Sequence, residues 1–114
     1  MKVHPCPFDF DNGIVRYQTF DYDPTLERGI ADGELTEDLI QVEYPKDLLI
    51  DIGWYGPNPN SYAAKKHKRM GRYLVLIVRQ HEWQHVVWEK EAHTFDELRV
   101  VVKEAVEKMK TLLV

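Results

Sequence analysis

The string His81-Glu82-Trp83-Gln84-His85 has the residue types and spacing for metal chemistry. On an α-helix, two histidines four apart share a face and chelate one zinc, and the glutamate between them polarises the metal-bound water. A third protein ligand must then come from elsewhere, and Glu104 and Glu107 lie at sequence distances that serve. That set describes a zinc metallopeptidase with Glu82 as its base. Two further pairs, Asp9/Asp11 and Asp21/Asp23, could divide acid and base roles between them, but that chemistry requires burial in a cleft. Next to turn residues and aromatics, they read as exposed alternating positions. His4, His67 and His93 stand singly in loop-like contexts, and we assign none of them as a ligand. The lone Cys6 can form neither an internal disulfide nor a Cys-based zinc site, so it reads as a small buried or half-buried hydrophobe. The chain carries no Gly-rich phosphate loop, no nucleophile elbow and no Cys/His pair with a base.

The zinc reading depends on a helix, and the flanking residues argue for strands. Arg72-Tyr73-Leu74-Val75-Leu76-Ile77-Val78 precedes the motif and Val86-Val87-Trp88 follows it, and both runs are β-rich. In an extended strand, residues four apart are separated by about 13 Å, too far to share a metal. At a hairpin tip the two histidines would also splay apart. We therefore expect no catalysis, no cofactor and no metal. A helix over 72–90 would restore the metallopeptidase reading, and a hairpin there would end it.

The remaining elements follow from pattern. Thr94-Phe95-Asp96-Glu97 is a capping box. It opens an amphipathic helix of about 18 residues, with Leu98, Val101, Val102, Ala105, Met109 and Leu112 on its apolar stripe. Arg99, Lys103, Glu107 and Lys110 fall on the other side. Strands are expected at Ile14 to Phe20, Leu39 to Tyr44, Leu48 to Ile52, Tyr73 to Val78 and Gln84 to Lys90, with turns at Asp11-Asn12-Gly13 and Pro45-Lys46-Asp47. Gly56-Pro57-Asn58-Pro59-Asn60-Ser61 cannot sit inside a helix or a central strand. With Lys65-Lys66-His67-Lys68-Arg69 after it, residues 57–70 read as a long exposed basic loop. The expectation is one α+β domain over residues 1–114: an antiparallel sheet of four to five strands, with the C-terminal helix packed on one face.

Composition narrows the function classes. Apolar residues at 44% and charged residues at 30% suit a folded chain with an ordinary core. No apolar run has the length of a membrane span or a signal peptide, and with the single cysteine this points to a cytoplasmic protein. The net charge of −4 weighs against nucleic-acid binding. Its distribution is uneven: residues 1–53 hold twelve acids against four Lys/Arg, and residues 54–114 hold seven acids against eleven. Such a field draws in a basic partner and speeds encounter, although solvated loops give the same count.

From residue 39 onward the order of features resembles a known family. Leu49-Ile50-Asp51-Ile52-Gly53-Trp54-Tyr55 is followed by a loop, then by Gly71-Arg72-Tyr73-Leu74-Val75-Leu76-Ile77-Val78. A tip with Trp83, a short strand through Trp88 and Thr94-Phe95-Asp96-Glu97-Leu98 opening a final helix complete the series. This is similar to small bacterial immunity proteins of contact-dependent growth inhibition and related polymorphic toxin systems. The N-terminal third does not fit that pattern, and the loop at 57–70 is longer than it calls for. The resemblance implies a cytoplasmic, stoichiometric inhibitor that occludes one cognate toxin domain. Many such toxins are nucleases, and an acidic inhibitor can cover their basic grooves. On this reading the partner-binding residues are Asp21, Tyr22, Asp23, Glu34, Glu37, Asp38, Glu43, Tyr44 and Tyr55: acids that steer and aromatics that anchor. Trp54 is read as core. No membrane and no direct nucleic-acid contact is expected. Two different functions also fit the sequence: an interaction domain with an unrelated partner, and a nucleic-acid binder using Lys65, Lys66, Lys68 and Arg69.

Overall fold

The computed structural model describes residues 6–18, 39–56, 71–80 and 85–114. Within them five strands form one antiparallel sheet in chain order: β1 (Ile14–Gln18), β2 (Ile40–Tyr44), β3 (Leu48–Tyr55), β4 (Arg72–Arg79) and β5 (His85–Ala92). One helix, α1 (Phe95–Leu113), follows β5. The α+β architecture expected from the sequence is therefore present, at the upper strand number.

Each strand lies where β-branched and aromatic residues gather, and between β2 and β3 the turn residues set the register. β2 and β3 meet through Pro45-Lys46-Asp47, closing the pair Tyr44↔Leu48. Lys46 and Asp47 both take left-handed backbone, with φ of 62° and 64°. That costs a non-glycine residue energy, but it matches the right-handed twist of the paired strands. β3 is longer than its apolar core predicts. It continues through Gly53, Trp54 and Tyr55, because each has a partner in β4: Leu74, Tyr73 and Arg72. Tertiary pairing here overrides the weak strand preference of glycine.

Alternation along the strands puts Ile40, Val42, Tyr44, Leu48, Ile50, Ile52, Trp54, Tyr73, Val75 and Ile77 on one face, all of them buried. α1 covers that face over β4 and β5 with Phe95, Leu98, Val101, Val102, Ala105, Val106 and Met109. The stripe includes Phe95 and Val106, beyond the residues expected from helical spacing, while Leu112 packs only partly against the core. Thr94 caps the helix: its Oγ1 accepts from the Glu97 backbone N–H at 3.1 Å. The Glu97 carboxylate reaches back to accept from the His93 backbone N–H at 2.7 Å. The reciprocal arm of the box thus lands one residue before the cap.

Beside the helix, the segment 6–13 completes the cover of the same face. Phe10 is buried, and its carbonyl accepts from the Tyr44 hydroxyl at 2.5 Å. Phe8 joins this segment to the helix, with its ring 5.7 Å from that of Phe95. Gly13 is required where the segment turns into β1. A Cβ there would lie 2.5 Å from the Tyr44 ring. Cys6 differs from expectation. It is exposed, with its thiol donating to the Phe8 carbonyl at 3.3 Å, because the apolar contacts of this segment go to Phe8 and Phe10.

Candidate interaction surface

The described residues on either side of the motif, and His85 within it, are strand and not the helix over 72–90 that zinc chemistry requires. β4 ends at Arg79 and β5 begins at His85, and these two residues are paired in an antiparallel ladder. His85 is an exposed strand residue. His81 and Glu82 lie between the strands, outside the described residues. Neither expected third ligand is placed to serve. Glu104 bonds Lys90 at 2.7 Å, and Lys90 lies five positions along β5 from His85, roughly 17 Å at strand rise. Glu107 pairs with Lys110 at 3.3 Å and faces the N-terminal segment, on the side of the helix away from β5. Among the described residues no cluster of three His, Cys, Asp or Glu side chains is placed to hold a metal.

The face of the sheet opposite the helix carries a different arrangement. The outward positions of β4 are Leu74, Leu76 and Val78, so this central strand is apolar on both faces. An antiparallel sheet with one solvated face ordinarily alternates apolar with polar. Register places Leu49 beside Val78, and Val78 beside Val86. Leu49, Leu76, Val78 and Val86 form the floor of a shallow depression of about 530 Å³. Its rim is polar, with Arg16, Gln41, Tyr55, Arg79 and Gln80 around it, and Asp51 also lines it. Ile14, 69% exposed, lies opposite Glu43 on the same face and extends the apolar area at the β1 edge. Glu43 pairs with Arg16 at 3.4 Å, both side chains about half exposed. A pair this exposed adds little stability and leaves its charges accessible.

Of the expected partner-binding residues, Glu43 and Tyr55 lie on this face. Tyr44 does not. It is 5% exposed on the opposite face, with its ring against Gly13 and its hydroxyl donating to Phe10. Burial, together with the nearby Asp11 and Asp9 carboxylates, pushes its phenol well above the usual tyrosine range. Tyr44 is a core residue that clamps the N-terminal segment, and it does not serve as the surface anchor expected of it. Trp54 is core as expected, 4.9 Å from Tyr73 in an edge-to-face arrangement. Asp21, Tyr22, Asp23, Glu34, Glu37 and Asp38 lie outside the described residues, as does the basic stretch at 57–70. Sequence reasoning missed Leu76, Val78 and Val86 as partly exposed residues of this face, beside Leu49, which is buried on it. The signal for Leu76 and Val78 was the unbroken apolar run of β4, whose outward half does not belong to the helix-side core.

Among the described residues no helix is long and apolar enough to cross a membrane. Comparison with protein-family models, with curated proteins and with solved structures gave no match.

Proposed function

We propose that this chain is an immunity-type inhibitor that binds a cognate toxin domain, in the first instance a nuclease, through the sheet face opposite its helix. The observation that carries the reading is the apolar floor of Leu49, Leu76, Val78 and Val86 within a polar rim. Protein interfaces have this anatomy, a dry centre inside a wet border. Tyr55 on the rim is the residue type that anchors such contacts. The acidic balance of residues 1–53 adds long-range attraction for a basic partner. Occlusion needs no catalytic group on the inhibitor.

The test is co-expression of the chain with a candidate toxin domain encoded by a neighbouring gene. The expected result is rescue of growth and recovery of a one-to-one complex. Val86→Asp and Glu43→Arg should weaken that complex about tenfold or more, by placing charge in its centre and by reversing an acidic charge that faces the basic partner. Val100→Asp, on the outer side of the helix where Val100 is 58% exposed, should leave it unchanged. Equal effects at all three positions would remove the sheet face from the proposal, and failure to bind the toxin domain would remove the immunity reading.

A further inference from the structure

A second concavity lies on the helix side of the molecule. Between the segment 7–11 and α1 there is a cleft of about 310 Å³, at the lower end of small-ligand sites. Val102 and Val106, nearly fully buried, close its floor, and Phe8 adds an apolar wall. Asp9 and Asp11 stand on one lip, and Lys103 stands on the helix side. Asp9 accepts from the Asp11 backbone N–H at 2.9 Å, a local turn that fixes the Asp9 carboxylate on this lip. The other charges of the cleft are engaged locally: Glu107 pairs with Lys110, and Arg99 lies over the Phe95 ring. Among the described residues, neither aspartate is ion-paired with Lys103. Unpaired opposite charges thus face each other across an apolar-floored gap.

We propose that this cleft binds a zwitterionic ligand with an apolar body, namely a short peptide with free termini. Its ammonium would lie against Asp9 and Asp11, its side chains over Val102 and Val106, and its carboxylate on Lys103. Charges set apart on the ligand suit charges set apart on the walls, and two extended residues separate their termini by about 7 Å. Each end then makes a charge-assisted hydrogen bond. The site lies on the opposite side of the sheet from the toxin-binding face, so the two proposals stand or fall separately.

The probe is L-leucyl-L-leucine, titrated into the whole protein and followed through the methyl resonances of Val102 and Val106. Saturable shifts are expected, together with binding about tenfold weaker for both the N-acetylated and the C-amidated dipeptide. Lys103→Met should weaken the free dipeptide to a similar degree and leave the amidated form unaffected. The paired change Asp9→Asn and Asp11→Asn should do the converse, sparing the acetylated form. Unchanged resonances of Val101 and Ala105 in these variants would establish that the fold is kept. Absence of saturation overturns the proposal, as does equal binding of the capped and free dipeptides.

Discussion

Gly71 sits where a side chain has no room. A Cβ there would overlap the Trp54 indole, which is itself held edge-on to Tyr73 in the core. Gly71→Ala should lower stability by about 1–3 kcal/mol through overpacking, read as a lower urea midpoint, and an unchanged midpoint would mean that the indole moves freely. Tyr44 offers a second test at this scale. Removing its hydroxyl as Tyr44→Phe leaves the Phe10 carbonyl without that donor and should cost about 1–2 kcal/mol. The same hydroxyl makes a pH prediction. Its ionisation is raised in the folded state, so below about pH 10 the phenol is protonated both folded and unfolded, and stability is at its full value. Above that, the unfolded chain ionises first and stability falls as pH rises. Urea midpoints at pH 9 and pH 11 should therefore differ more in the parent chain than in Tyr44→Phe.

At the scale of elements, the pairing of β4 with β5 places His85, the described histidine of the His-Glu-x-x-His string, on a strand. His85 is exposed and strand-bound, so His85→Ala should change stability by no more than about 0.5 kcal/mol. The parent chain, purified from zinc-supplemented medium, should carry no stoichiometric metal. Bound zinc that disappears in the variant would return the metallopeptidase reading to the front. The helix depends on its cap, and Thr94→Ala should cost about 1 kcal/mol by leaving the Glu97 N–H unsatisfied. Both elements were legible in the sequence because their signals are local. The capping box, the apolar helical period and the β-rich runs each act within a few residues. The extension of β3 through Gly53-Trp54-Tyr55 was not legible, since it rests on pairing with residues about twenty positions away.

For the whole molecule, the separation of charge along the chain predicts kinetics more than affinity. If the acidic balance of residues 1–53 steers the partner, association with the proposed toxin partner should slow steeply between low and physiological salt, with dissociation little changed. Salt-independent association, measured by stopped flow, would leave the charge as a solubility feature. The two faces of the sheet divide the labour of the fold. One is sealed by α1 and the segment 6–13, and its residues account for stability. The other has an apolar floor and a charged rim, and its residues account for the proposed contact.

The sequence by itself determined the class of fold, the strands, the helix with its cap, and the strand context that argues against zinc. These follow from periodicity and turn chemistry, which are properties of neighbouring residues. Only the tertiary structure decided which aromatic residues face outward. Tyr44 and Tyr55 both lie in β-rich surroundings, yet one clamps the N-terminal segment inside and the other lines the outer rim. Side chains alternate between faces with a period of two, and which face becomes core depends on where the distant helix settles.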